Sequence, residues 1–104
     1  MNEQFVRTIN LIGTEKFNKL TDKKIIVLGV GGVGGFVIES LARAGISNFV
    51  IVDNDVVNSS NINRQIVALN STLGQFKVDV MKQRLLDINP KIKVESKKVF
   101  LTPD

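Results

Sequence analysis

Three glycines, two aspartates and a lysine are spaced in this chain as a nucleotide site would space them. Gly29, Gly31 and Gly34 fit G-x-G-x-x-G. Asp53 follows at the interval, about 20 residues, at which an acidic residue meets a ribose in dinucleotide-binding units. In that chemistry Gly29 permits a tight turn, Gly31 lets a phosphate approach the backbone, and Gly34 lets a helix pack close to the preceding strand. Unpaired N–H groups at the helix start then face an anion. Asp53 and Asp55 lie two residues apart past a strand and point in a similar direction, so Asp53 can take the ribose hydroxyls while Asp55 stays near the phosphates or a cation. On local grounds Asp55 is equally a turn or helix-capping residue. Lys77 falls in the first turn of a helix, where a cation is disfavoured unless an anion lies nearby; the hint of a ligand competes with a plain solvent-exposed lysine.

Composition narrows the chemistry further. The 104 residues hold no cysteine and no histidine, which excludes a disulfide framework, thiolate metal sites, cysteine nucleophiles and histidine-based catalysis. Reaction chemistry has to use Arg, Lys, Asp, Asn and the backbone. No apolar run approaches the ~20 residues of a membrane span, and Met1-Asn2-Glu3-Gln4 lacks the blocks of a signal peptide, so a cytoplasmic protein without membrane contact is expected. A net charge of +4 permits binding to nucleic acid or polyphosphate, but a lysine excess is also common on solvated surfaces.

The elements that must position these residues follow from pattern. Ile25-Ile26-Val27-Leu28 is a continuous apolar run, expected as a strand buried on both faces of a parallel sheet. Val33 to Ala44 reads as a helix ending at Gly45, with Val37, Leu41 and Ala44 toward the sheet and Glu39 and Arg43 paired on the solvent side. Phe49-Val50-Ile51-Val52 is a second buried strand, and Val56 to Asn63 a loop over the sheet's carboxyl edge, where ligands bind. A short apolar segment, Ile66 to Leu69, precedes a helix from Gln75 to about Ile88 with Phe76, Val80, Met81, Leu85 and Ile88 on its buried face. Asn89-Pro90 stops it, and Lys91 to Val99 reads as an edge strand whose lysines are solvated. Ahead of the sheet, Phe5, Ile9, Ile12, Phe17 and Leu20 mark two short helices broken at Gly13, with Arg7 on the first, by itself a surface charge. The fold class is α/β: a Rossmann-like nucleotide-binding half, a βαβαβ parallel sheet over residues 21–104, preceded by a helical segment over residues 1–20. That is little more than half of a two-part doubly wound sheet, which reads as a portion of a larger domain or a chain that needs a partner.

The motifs beyond the second strand are those a dehydrogenase lacks: D-N-D from Asp53, N-I-N-R-Q from Asn61 to Gln65, and G-Q-F-K from Gly74 to Lys77. With the glycine motif, this series resembles the ubiquitin-activating superfamily, the HesA/MoeB/ThiF-type adenylating enzymes. Arg7-Thr8, Leu11-Ile12-Gly13, Asn63-Arg64-Gln65-Ile66, Ala68-Leu69, Val80-Met81, Arg84, Asp87-Ile88-Asn89-Pro90, Phe100 and Thr102-Pro103-Asp104 are most similar to its tRNA threonylcarbamoyladenosine dehydratase branch. One departure is Gly35, where a small hydroxyl residue is more usual; it should soften the helix start slightly.

The resemblance implies a homodimer that binds ATP with Mg2+, lets a substrate carboxylate attack the α-phosphate, and releases pyrophosphate. In this branch the carboxylate belongs to the threonylcarbamoyl group of tRNA, which then cyclises with loss of the elements of water. By the same resemblance Gly29, Gly31, Gly32 and Gly34 cradle the nucleotide and Asp53 holds its ribose. Asp55 and Asn61 lie near the phosphates, Arg64 and Lys77 stabilise the transition state and departing pyrophosphate with Gln65 in support, and Arg7 reaches into the partner subunit's site. In-line displacement at phosphorus needs positioning and charge neutralisation more than a protein nucleophile. The family's magnesium-binding aspartate is expected beyond residue 104, so these residues contain no metal ligand set, and the 104-residue chain alone is expected to bind ATP weakly or not at all and not to turn over. Three other readings stand beside this one: adenylation of the C-terminus of a ubiquitin-like sulfur-carrier protein, with a sulfur-transfer partner; an NAD-dependent dehydrogenase portion; and a non-catalytic nucleotide-binding or dimerisation module.

Overall fold

Ile25 to Leu28 form most of β1 (Lys24–Leu28) in the computed structural model, which describes residues 3–31 and 33–99. β2 (Asn48–Val52) and β3 (Lys93–Lys97) complete a parallel sheet in the order β1-β2-β3, with Ile26 opposite Val50 and Val50 opposite Glu95. The crossovers are α3 (Val33–Ala44) and α4 (Lys77–Ile88). Both helices pack on one face. Their Ile38, Ala42, Val78, Met81 and Leu85 meet Phe49 and Ile51 of β2, with Ile25, Val27 and Val94 at the margins. This is the α/β, Rossmann-like βαβαβ half expected from the pattern.

The burial of β1 differs from expectation. Ile26 and Leu28 are each 64% exposed, since within these residues both crossover helices lie over the other face. Only alternate residues, Ile25 and Val27, reach the core.

The buried stripe of α3 is also turned by one position. Ile38 and Ala42 are fully buried, whereas Val37 is 45% exposed. The helix start sets this rotation: a Cβ at Gly34 would lie 2.7 Å from the Gly29 carbonyl oxygen, and one at Gly35 would lie 2.9 Å from the Val30 oxygen and 3.1 Å from Ile66. Side chains at 34, 35, 38 and 42 share one helical face, so the two glycines carry Ile38 and Ala42 inward. Gly35 is therefore a packing residue as much as a break in helix propensity.

Helix α4 begins at Lys77, two residues later than expected. Phe76 precedes it in extended conformation, pairs with Val56 across an isolated antiparallel bridge, and is 37% exposed rather than in the buried row. Val78, absent from the expected row, is fully buried. Asn89 caps the end of α4 and accepts a hydrogen bond from the Lys91 N–H.

The helices broken at Gly13 are α1 (Val6–Ile12) and α2 (Thr14–Thr21), with Glu3–Phe5 a 3-10 turn before them. The Phe5 and Phe17 rings lie 5.6 Å apart. Phe17 also packs on Gly45, whose φ of +124° leaves no room for a side chain, a Cβ there lying 2.7 Å from the ring. Gln4 donates to the Ile88 carbonyl at the end of α4. No helix of the described residues is long and apolar enough to cross a membrane.

Candidate functional site

The turn after β1 is the pivot of the site. Gly29 has φ +98°, in the left-handed region that glycine enters freely, and its N–H donates to the Val52 carbonyl at 2.8 Å. The next N–H, of Val30, donates to Asp53 Oδ2 at 2.8 Å, while Asp53 Oδ1 accepts from the Asp55 N–H at 2.8 Å. Asp53 is only 9% exposed. Its carboxylate thus ties the turn that opens α3 to the end of β2, and each oxygen keeps a lone pair for a ligand hydroxyl. Val30 contributes through its backbone; its place as the variable residue of the glycine motif gave no sign of that.

Lys77 is buried, not solvent-exposed. Its Nζ lies 3.7 Å from Asp55 Oδ2, and its N–H donates to the Asp55 carbonyl at 3.0 Å. The anion that a cation at this helix start requires is therefore supplied by the chain. Asp55 has its side chain 63% exposed, so the pair opens toward solvent on the Asp55 side.

At Gly31 the close approach is made by a side chain. A Cβ there would lie 3.0 Å from Gln65 Nε2 and 3.2 Å from Gln65 Oε1. Gln65 Oε1 is buried without a hydrogen-bond partner among the described residues, an acceptor beside the glycine turn that a donor on a bound molecule would satisfy. Asn61 positions it. Asn61 is buried, its Oδ1 accepts from the Asn58 N–H, and its carbonyl accepts from the N–H groups of both Arg64 and Gln65.

Arg64 and Arg7 are not joined to this cluster. Arg64 donates to the Ser60 carbonyl at 2.8 Å and to Asn63 Oδ1 at 3.2 Å, beside a cleft of about 260 Å3 lined by Phe36, Ile62, Ile66 and Leu69. Arg64 and Gln65 both line this cleft, Arg64 exposed and Gln65 half-buried. Arg7 is exposed on α1, which follows Gln4 at the end of α4 remote from Lys77. Gly32 lies outside the described residues, as do Phe100 and Thr102 to Asp104.

Three ion pairs brace the surroundings. Glu39 is not simply on the solvent side: it accepts from Arg84 Nε at 2.6 Å as well as meeting Arg43 at 3.5 Å, and so links α3 to α4. Burial pushes its carboxyl up, but the hydrogen bond and charge of Arg84, joined by Arg43, outweigh it and hold the group below its ordinary value. Lys98, expected as a solvated lysine, meets Asp79 at 2.9 Å and lies 4.6 Å from the centre of the Phe76 ring.

For a nucleotide the fit is direct: a positive-φ glycine turn opening a helix, an acid on the next strand bonded to that turn, and an unsatisfied acceptor against it. For a metal ion, no group of three or more His, Cys, Asp or Glu that could hold one occurs among the described residues.

These features define a Rossmann-like α/β fold. The chain belongs to the ThiF family, which residues 5–104 match. It is 48% identical over 104 residues to a tRNA threonylcarbamoyladenosine dehydratase of Bacillus subtilis (strain 168), covering 100% of this chain and 41% of that protein. It superposes on the crystal structure of the E. coli tRNA N6-threonylcarbamoyladenosine dehydratase TcdA in complex with ATP with a TM-score of 0.93 at 39% identity, covering 96% of this chain and 41% of that one. It is also 42% identical over 78 residues to the adenylyltransferase and sulfurtransferase UBA4 of Lodderomyces elongisporus, covering 75% of this chain and 17% of that protein. The chain thus spans about two fifths of the length of the dehydratases it resembles.

Proposed function

We propose that this chain is the nucleotide-binding portion of an ATP-dependent adenylating enzyme whose substrate is the threonylcarbamoyl carboxylate of N6-threonylcarbamoyladenosine in tRNA. The observation that carries the reading is the 48% identity to the Bacillus subtilis dehydratase across every residue of the chain, joined to likeness with an ATP-bound dehydratase structure. When bound, ATP supplies the adenylyl group that activates the carboxylate, with release of pyrophosphate. Asp53 accepts from the ribose hydroxyls through the lone pairs that Val30 and Asp55 leave free. Gly29, Gly31, Gly32 and Gly34 give the backbone its approach to the phosphates. Lys77 turns from Asp55 to the phosphate oxygens as negative charge builds on the leaving group.

In this reading Asn61 and Gln65 hold the loop that carries Arg64, and Arg64 leaves Ser60 and Asn63 to reach the phosphates. Asp55 stays by Lys77, Arg7 acts across a homodimer, and Mg2+ is held by residues outside these 104. The protein works in the cytoplasm. The 104 residues alone bind ATP weakly and do not turn over.

Likeness to UBA4 favours one alternative, adenylation of the C-terminus of a ubiquitin-like protein. ATP–pyrophosphate exchange decides between them, measured on this chain assembled with the remainder of the Bacillus subtilis dehydratase. Stimulation by threonylcarbamoylated tRNA is expected. Stimulation by a ubiquitin-like carrier and not by the tRNA would overturn the substrate assignment.

A further inference from the structure

Gly31 leaves its α-carbon bare, and what lies against it is the carboxamide of Gln65. A Cβ there would stand 3.0 Å from Nε2, 3.2 Å from Cδ and 3.2 Å from Oε1. Three nearly equal distances mean that the group meets the glycine with its flat face. Hydrogen bonds of an amide run close to its plane, so packing on Gly31 satisfies none of them. Oε1 is left buried without a partner among the described residues, an arrangement that costs stability until a donor reaches it.

The backbone of Gln65 has no freedom to correct this. Its N–H donates to the Asn61 carbonyl at 2.9 Å, and its carbonyl accepts from the Ala68 N–H at 3.0 Å. Asn61, Val67 and Ala68 on either side are buried. The side chain has a second place to go, the cleft of about 260 Å3 that Gln65 lines with Arg64 and Phe36. Arg64 is exposed there, and its bonds to the Ser60 carbonyl and to Asn63 Oδ1 both leave from Nη1. A guanidinium also donates from Nε and Nη2, and among the described residues these have no partner.

We propose that Gln65 is a positioning residue that couples occupancy of the glycine turn to Arg64. A phosphate group seated at Gly31 displaces the carboxamide into the cleft. There Oε1 accepts from Nε or Nη2 of Arg64, and the guanidinium turns from Ser60 and Asn63 toward the phosphates. Without a ligand the move would strip Gly31 of its packing contact; with a phosphate in place it satisfies the orphaned acceptor at no such loss. A neutral acceptor suits the task because it orients the guanidinium without cancelling its charge, as a carboxylate would. The coupling rests on the adenylation reading, in which Arg64 leaves its resting partners to reach the phosphates.

Nuclear magnetic resonance of the 104-residue chain tests this through the side-chain NH2 signals of Gln65, the Nε–H signal of Arg64 and the backbone amides, with ATP added to millimolar concentration. ATP should shift the Gln65 and Arg64 side-chain signals together with the amides of Gly29 and Asp53. Gly31→Ala, whose methyl group takes the space of the carboxamide, should shift the same two side-chain signals with no nucleotide added. Gln65→Met keeps the length of the side chain and removes the acceptor. It should weaken ATP binding at least fivefold in the parent and less than twofold in an Arg64→Ala background, with far-UV circular dichroism unchanged. A Gln65 that merely packs would weaken both backgrounds alike, and that result overturns the coupling. So does a Gly31→Ala chain whose Arg64 signal stays in place. Shifts at Gly29 and Asp53 with the Gln65 and Arg64 side chains silent would sink the coupling and leave nucleotide binding standing; no shift at any of these sites would sink both.

Discussion

Replacing Gly34 by alanine places a methyl group 2.7 Å from the carbonyl oxygen of Gly29. That oxygen is backbone, held in a turn whose own N–H is bonded to Val52, so relief requires α3 to lift from β1. Overpacking of this kind costs about 1–3 kcal/mol; the better helix propensity of alanine returns about 1 kcal/mol. A contact with fixed backbone belongs at the upper end, giving a net loss of about 1–2 kcal/mol. For a chain of this size that lowers the melting temperature by about 4–16 °C. Gly31→Ala is the internal control. Its methyl group meets only the Gln65 carboxamide, at 3.0 to 3.2 Å, which can swing aside, so its stability should change by less than about 0.5 kcal/mol. Urea and thermal unfolding followed by far-UV circular dichroism measure both. If Gly34→Ala is as stable as the parent, or Gly31→Ala is the more damaged, the turn does not hold helix to strand as argued.

Glu39→Gln should cost about 1 kcal/mol at neutral pH. Because the folded-state pKa of Glu39 lies below its ordinary value, its contribution is present above the unfolded pKa, about 4.3, and is lost as pH falls through the folded value. The gap between the parent and Glu39→Gln should therefore close below about pH 4 in urea titrations; a gap that persists at lower pH would contradict this. Gly45→Ala combines a positive φ with a methyl group 2.7 Å from Phe17, and should lower stability by about 2 kcal/mol or more in the same assay. Lys77→Met keeps the buried stem and leaves Asp55 exposed to water, so unfolding should be nearly unchanged while pyrophosphate exchange in the assembled enzyme falls about 100-fold or more.

The β-branched runs, the helix from Val33 to Ala44 and the order of elements were legible in the sequence because local periodicity decides them. What was not legible depended on neighbours. Ile25 to Leu28 carry the composition of a doubly buried strand, and within these 104 residues one of its two faces meets no helix. Whether Val37 or Ile38 faces inward turned on close contacts at Gly34 and Gly35, which no periodicity encodes. Within the site, Asp53 and the glycine turn were readable from spacing, and their hydrogen bond through Val30 accounts for that spacing. Lys77 stands where a helix start disfavours a cation without an anion, and in the structure that anion is Asp55. Arg64 and Gln65 share a motif and line one cleft, yet Arg64 bonds to Ser60 and Asn63 while Gln65 packs on Gly31.

The central claim is that the turn at Gly29 and the carboxylate of Asp53 together grip a nucleotide. Amide chemical-shift mapping of the isolated chain with ATP and with NAD at millimolar concentration tests it most directly, in the parent and in Asp53→Asn. ATP should shift the amides of Gly29 to Gly34, Asp53 and Lys77, more strongly than NAD and far less in Asp53→Asn. Shifts confined to the lysines of the open sheet face, or an ATP response indifferent to Asp53→Asn, would contradict the account.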